Sequence, residues 1–356
     1  IGYTGIRIRG ISAQSTNITI NGIPFNDAES HGTYWVNLPD FSSSVESLQV
    51  QRGVGTSTNG SGAFGSSINI LTDGISEDPY AEISNSFGSY DSRKHTVKFS
   101  SGLLNDSFEI SGRLSKIDSD GYVDRAFSDL KSYFLQGAYK RGNTFLKALA
   151  FGGHEKTYQA WDGLSKEQIK ENRRQNPLTY ENEIDNYKQD HYQMHLNQKI
   201  DSKWSTNIGL NYTYGRGYFE QFKEDDDIST YSGIVVSDLD ASGNELGTSD
   251  LIRRRWLDNN FYVLNTTLNY VSSKLNMNFS SYYSSYSGDH YGEVIWARQI
   301  GPNNSIRDEY YRGNGKKNEW SLFAKSSYLI NDQLEIFGDI QFRKIGYKTT
   351  GLTSDL

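Results

Sequence analysis

The 356-residue chain has no cysteine, only five prolines and two methionines. Without cysteine, neither a disulfide framework nor a Cys-ligated zinc site can form. No stretch approaches the ~18 consecutive apolar residues that a membrane-spanning helix needs, and the mean hydropathy is -0.66. Those values exclude a helical membrane protein but not a transmembrane barrel, because a spanning strand needs only alternate residues to be apolar. Acidic residues outnumber basic ones, 43 against 36, for a formal net charge of -7, which argues against a nucleic-acid partner. The chain is rich instead in Tyr, with 25, and in Gly, with 34, a balance that suits an all-β protein.

Two textures divide the chain. Residues 1–76 are Gly-rich and read as short strands. Ile6-Arg7-Ile8-Arg9 alternates, and Asn17-Ile18-Thr19-Ile20 runs into Asn21-Gly22, a strong hairpin signal because both residues accept positive φ. Leu48–Gln51 and Ile68–Leu71 add two more strands. Residues 77–356 carry long alternating runs. Trp204, Thr206, Ile208, Leu210, Tyr212 and Tyr214 share one face, and Ser205, Asn207, Gly209, Asn211 and Thr213 the other. Tyr262, Leu264, Leu268 and Tyr270 oppose Asn265 and Asn269, and Phe108, Ile110 and Leu114 oppose Glu109, Ser111 and Arg113. A period of two over this length means strands with one apolar and one polar face. Ser165–Arg174 is the one segment that reads as a helix.

The connectors sort by parity. Gly102–Asp106, Arg141–Asn143, Asp201–Lys203, Ser272–Lys274 and Asn331–Asp332 read as tight turns. Between them Asp118–Asp129, Tyr158–Tyr187, Gly215–Arg255 and Ser287–Lys317 read as long polar loops, after a shorter one near Ser89–Arg93. Short turns on one rim and long loops on the other define an outer-membrane barrel. About eleven strands are counted, whereas bacterial barrels close with an even number. Ile1 also stands inside an alternating run with no signal peptide before it. The sequence is therefore expected to be a fragment, with residues missing at both ends.

Three motifs then follow in order. Ile6-Arg7-Ile8-Arg9-Gly10 leads to Ile18–Pro24 (ITINGIP), Val45–Gly53 (VESLQVQRG) follows, and Gly60–Thr72 (GSGAFGSSINILT) completes the set. Together they resemble the plug of TonB-dependent outer-membrane receptors, the family with a plug inside a 22-stranded barrel. The positions that carry the resemblance are Arg9, Gly10, Asn21, Gly22, Pro24, Glu46, Arg52, Gly53, Gly60, Gly62 and Gly65. The wording NGIPFNDAES with TYWVNLPD is similar to receptors of Bacteroidota. Asn21 stands where the family usually has Asp, and Val54 where it has Pro.

The resemblance implies an all-β protein: the C-terminal part of a plug over 1–76, inside the first half of a transmembrane antiparallel barrel over 77–356. It implies no enzymatic activity, no cofactor and no metal. Function would be import of a scarce ligand across the outer membrane, a ferric siderophore or haem first, with cobalamin or an oligosaccharide as alternatives. The partners implied are TonB with its inner-membrane energising complex, outer-membrane lipid, and in some relatives a surface lipoprotein. A passive porin or adhesin barrel without energy coupling is the rival reading. The plug apex implied by the family is the turn after Arg9-Gly10 and the run Phe25–Trp35, with Arg9, Phe25, His31, Tyr34 and Trp35 as ligand contacts. Arg7 and Arg9, on one strand face, could meet an anionic chelate through charge-assisted hydrogen bonds. The bland alternative is that Arg9 pairs with a wall carboxylate and the aromatics pack the plug.

Other motifs dissolve on inspection. Gly60–Gly65 fits G-x-G-x-x-G, but a strand follows where a dinucleotide site needs a helix. Asp238, Asp240, Ser242 and Gly243 imitate an EF-hand start, yet Ser249 falls where a bidentate Glu is required. His191 and His195 would sit in helical register for zinc; on a strand with Tyr192 and Met194 they point into a wet lumen instead. By the same parity Asn211 and Asn269 face the lumen and should accept Arg, while Leu210 and Leu268 face lipid.

Overall fold

The computed structural model describes residues 3–53 and 64–352, so Gly60 and Gly62 lie outside the described residues. It has two sheets. The first is four-stranded, in the order β2-β1-β4-β3, from β1 (Thr16–Ile20), β2 (Ile23–Pro24), β3 (Val45–Arg52) and β4 (Ser66–Thr72). Asn21 (φ 54°) and Gly22 (φ 79°) turn β1 into β2, pairing Ile20 with Ile23, as the Asn-Gly signal predicts. The expected strand Ile6–Arg9 does not form. Both edges of β1 are already taken, by β2 and β4, so its alternation finds no ladder; Ile8 packs on the core while Arg9 (φ 55°) and Gly10 (φ 77°) make a left-handed turn.

The second sheet has eleven strands, each antiparallel to the next: β5 (Pro79–Gly88), β6 (Ser92–Ser101), β7 (Phe108–Ser119), β8 (Ser128–Arg141), β9 (Thr144–Tyr158), β10 (Ile184–Lys199), β11 (Trp204–Asp227), β12 (Thr248–Val271), β13 (Leu275–Ala297), β14 (Glu309–Asn331) and β15 (Leu334–Gly351). Among the described residues one α-helix, α1 (Lys166–Glu171), is found, between β9 and β10. It is closed by a capping box in which Ser165 and Gln168 exchange side-chain and backbone bonds. The fold is all-β: an antiparallel barrel wall with a plug-like domain at its N-terminal end.

Loop parity holds, but two loops are shorter than expected. The ladder between β11 and β12 runs on to Asp227 and Thr248, deep into the stretch Gly215–Arg255 that reads as loop. β13 and β14 likewise continue to Ala297 and Glu309. Apolar and aromatic residues fall on both faces there, with Leu251, Val294, Tyr310 and Tyr311 buried against Tyr231, Ile234 and Val235, so the period-two signal vanishes while the backbone bonds persist.

The faces follow the predicted alternation. Leu114 is 63% exposed and Leu210 46%, whereas the inward Glu109 and Arg113 are 1% and Asn211 6% exposed. Outward aromatics form two rows. Tyr133, Tyr192, Tyr212, Tyr262, Tyr283 and Trp320 lie toward the long loops; Phe108, Tyr139, Trp204, Tyr270 and Tyr328 lie beside the tight turns. Tyr192, Tyr212 and Tyr262 stack in sequence across β10–β12, with centroids 6.1 and 4.8 Å apart. Such rows mark the two interfaces of a membrane-spanning band.

The plug and wall share one core. Ile18, Ile20, Leu38, Phe41, Ile68 and Ile70 pack against Phe134, Leu149 and Phe151 of the wall. Gly153 lets the plug lie flush on β9, since a Cβ there would come within 2.6 Å of Pro39 Cδ. The inward face at this height is therefore packed, not wet. His191 is stacked on Phe151, centroids 4.8 Å apart, with Phe25 at 5.7 Å. Gln193 accepts a bond from Asn21 at 3.2 Å. The expectation that His191 points into a wet lumen is corrected on this point.

Candidate functional site

The run Phe25–Trp35 sits on top of the plug sheet and is held in shape by short polar side chains. Asn26 accepts from the Ile18 N–H (2.7 Å) and donates to the carbonyls of Thr16 (2.9 Å) and His31 (3.0 Å). Asp27 accepts from the Ser30 N–H (2.7 Å) and hydroxyl (2.8 Å). His31 takes a left-handed φ of 57°. A segment tied by such side-chain bonds to itself and to β1 holds its aromatics in place.

One flank of this run is bolted to the wall. Glu29 accepts from Tyr286 Oη (2.8 Å), His290 Nε2 (2.7 Å) and Tyr347 Oη (3.0 Å). Burial alone would favour the proton on Glu29, but these bonds outweigh it and hold the carboxyl below its usual range. Lys317 donates to the Ala28 carbonyl (2.6 Å) and lies 3.3 Å from His31 Nε2. Burial, then the charges of Lys317 and Arg343, lower the His31 pKa, so the ring stays neutral. His31 thus faces wall strand β14.

The other flank opens on a cavity of about 480 Å³ between plug and wall. The plug supplies Tyr3, Phe25, Asp27, Tyr34 and Asn37; the wall and its loops supply Glu155, Trp161, Asp185, Tyr187, Phe219 and Arg255 among others. Tyr3 bonds Asp185 and sits edge-on to Trp161, centroids 5.9 Å apart. Burial first, and the charges of Asp185 and Glu155 after it, push the Tyr3 phenol well above its usual range, leaving it a donor. A pocket with an aromatic lining and a few convergent polar groups is the form small-molecule sites take. A larger hollow of about 850 Å³ lies mainly against outward residues such as Leu268, Phe279, Leu322 and Phe342. It lacks convergent charged groups.

Of the expected contacts, then, Phe25 and Tyr34 line the cavity. Trp35 packs beneath Phe25, centroids 5.6 Å apart. Arg9 is exposed in its turn and is not among the lining residues; with no strand there, it and Arg7 share no strand face. Asp27 lies within the expected run; Tyr3, Glu155, Trp161 and Asp185 carry no local signature and were not legible. Their parity on inward strand faces was the available signal for Glu155 and Asp185.

The motif glycines do geometric work. Gly53 (φ 82°) donates its N–H to the Gly65 carbonyl at 2.8 Å. Gly65 is pressed on Ile11, where a Cβ would come within 2.7 Å. Pro24 pairs with Thr19 in β2; Glu46 and Arg52 are exposed on β3. Asn21 accepts from the Thr72 N–H at 3.0 Å and donates to Gln193, a donation an aspartate could not make.

Charge also anchors the plug to the first wall strands. Asp40 accepts from Lys94 (2.5 Å), Ser115 (2.7 Å) and Thr96 (2.8 Å), and lies 3.2 Å from Arg113. Arg113 also donates to the Asp40 carbonyl (2.7 Å) and Ser44 Oγ (2.9 Å). Burial opposes the charge on Asp40, but the bonds from Lys94, Ser115, Ser43 and Thr96 prevail and hold its carboxyl far below the usual range. Nearby, Lys147 reaches the Asp73 carbonyl (2.6 Å) and Thr72 Oγ1 (2.9 Å).

A plug seated in an antiparallel barrel wall, with aromatic rows outside and a cavity between plug and wall, defines the class: a plugged outer-membrane-type barrel. Residues 2–67 match the TonB-dependent Receptor Plug Domain family. Over 119 residues, 33% of this chain and 19% of the relative, the chain is 31% identical to the vitamin B12 transporter BtuB of Vibrio vulnificus (strain YJ016). Among solved structures, the ferric-catecholate import receptor Fiu of E. coli K12 in its open form aligns over 98% of this chain and 55% of its own, at 15% identity and a TM-score of 0.68. The ferric yersiniabactin uptake receptor FyuA of Yersinia pestis aligns over 98% and 54%, at 14% identity and a TM-score of 0.64. The chain spans about half the length of these structures and a fifth of the B12 transporter.

Proposed function

We propose that this chain comes from a TonB-dependent receptor of the outer membrane, with residues 1–76 as the end of its plug and 77–356 as the first wall strands. The protein imports a scarce ligand. The observation that carries the reading is the cavity between Phe25–Trp35 and the wall, with the plug core packed against the wall beneath it. A solute in that cavity can proceed only if the plug moves. Movement must break the Asp40–Arg113 and Glu29–His290 contacts, which requires work from outside the barrel. TonB and its inner-membrane energising complex are the partners that supply it, and a surface lipoprotein is compatible with the arrangement.

A ferric siderophore is the first candidate ligand and haem the second; the resemblance of the fold to siderophore receptors supports the former. The local identity to a B12 transporter keeps cobalamin in view, and an oligosaccharide would suit the aromatic lining. A passive porin is disfavoured because a plug packs against the inner face of the wall. The NGIPFNDAES wording supports a source in Bacteroidota. No reaction is assigned: the protein moves its ligand unchanged.

Phe25 and Tyr34 are the proposed plug contacts, with Trp35 and His31 supporting them from below and beside. The experiment replaces Tyr34 and Trp35 with Ala, verifies outer-membrane assembly, and measures growth and uptake on single iron sources against a strain lacking the protein. Loss of uptake with normal assembly is expected. Unchanged uptake would remove the cavity as the import site.

A further inference from the structure

The cavity is unusual in charge. Its lining holds three carboxylates, Asp27, Glu155 and Asp185, against one cation, Arg255, and the Arg255 guanidinium lies over the Phe219 ring, 5.1 Å from its centroid. Asp27 is consumed by its own turn. Glu155 and Asp185 are different. Both are inward positions near the long-loop ends of β9 and β10, one register step apart: Asp185 pairs with Thr157 and Tyr187 with Glu155. They lie above the row through Tyr192, outside the membrane-spanning band. Glu155 is 2% exposed, and its one described partner is the Thr157 hydroxyl at 3.4 Å. Asp185 accepts from Tyr3. Among the described residues neither carboxylate has an ion-pair partner.

A carboxylate shut into a cavity without a cation is costly, and so is a second one beside it. Burial and mutual repulsion favour a proton on the pair while the cavity is empty. Around the pair stand rings: Tyr3, Phe25, Tyr34, Trp161, Tyr187 and Phe219. Aromatic faces attract cations, and more strongly when water is excluded. Acid and rings together select one kind of guest.

We infer that this cavity takes a ligand bearing an organic cation, an ammonium or guanidinium group on an apolar or aromatic body, with the cation directed at Glu155 and Asp185. This rests on the cavity being the import site, and it refines the ligand class: a chelate or nutrient with a positively charged arm, in place of the polyanion that Arg9 suggested. The ligand's cation takes the place of a proton on the pair, so binding leaves the pair no more negatively charged than in the empty cavity.

The test uses two small probes of similar size and opposite charge, phenyltrimethylammonium and benzenesulfonate. Binding to the full-length protein in lipid nanodiscs is followed by saturation-transfer NMR and by quenching of tryptophan fluorescence. The cation should bind at least tenfold more tightly than the sulfonate. In Glu155→Gln/Asp185→Asn that preference should fall to within about twofold, with the folded electrophoretic mobility of the barrel retained. Equal binding, preference for the sulfonate, or a preference unaltered in the double variant would overturn the inference. If the double variant does not assemble, the wild-type preference and Asp185→Asn alone, which should lower it at least threefold, decide the matter. A failure here is distinct from failure of the import reading, which the uptake of the Tyr34→Ala/Trp35→Ala variant decides without reference to charge.

Discussion

Asp40 and Arg113 are each about 1–2% exposed at their side chains, and neither can lose the other cheaply. Asp40→Asn leaves a buried guanidinium without its counter-charge, which costs about 3–5 kcal/mol. Hydrogen exchange across residues 36–44 should accelerate accordingly in this variant. Asp40→Asn combined with Arg113→Met should recover much of the loss, since it removes the buried guanidinium left without a counter-charge; equal damage in both variants would mean the site acts through packing alone. The pH sense follows from the direction of the Asp40 shift. A carboxyl whose folded pKa is depressed adds stability at every pH above its unfolded value near 4, lost only as pH falls through the lower folded one. The anchor should therefore persist in acid that protonates ordinary aspartates. At this scale the sequence was opaque. Nothing local in Leu38-Pro39-Asp40 announces a partner in Arg113, because the pairing spans seventy-three positions.

Strands were far more legible, because period-two alternation survives wherever one face meets lipid and the other does not. Trp204–Tyr214 shows this well. The alternation gave no warning where lipid ends, and so Gly215–Asp227 and Thr248–Arg255 read as loop although they are paired. It also failed inside, because a polar inward residue looks the same whether it meets water or the plug. Arginine substitutions separate the three environments. Leu210→Arg places a charge toward hydrocarbon, ~2–4 kcal/mol near the midplane, and should reduce assembled barrel in outer-membrane fractions. Asn211→Arg, at a position 6% exposed, should let the barrel assemble but loosen the plug by overpacking. Asn269→Arg, half-buried and bonded to Asn278, should do neither. Heat-modifiable mobility reads the barrel and hydrogen exchange reads the plug; if Asn211→Arg left plug exchange unchanged, the packed-lumen description would fail.

Taken whole, the molecule is a wall that outgrows its membrane. Strands lengthen from 10 residues in β5 to 24 in β11 and β12, and the tallest hairpins stand over the cavity. From Gly217 at the cavity to Asp227 at the top of β11 is ten residues, roughly 26 Å of height at ~3.4 Å per residue and ~40° tilt. On the proposed reading, the cavity is the bottom of a well with hydrogen-bonded sides. Chemistry decides what fits at the bottom, but reach decides what arrives. A guest fixed to a bead, a carrier protein or a polymer by a tether much shorter than the well is deep should not compete with the free guest. The same guest on a longer, flexible tether should. Competition against uptake with a graded series of tether lengths would give a threshold near that depth, and a response independent of tether length would mean the sides part to admit large bodies. The height of the wall is in this sense a sieve for what the guest is attached to, applied before any contact with the plug.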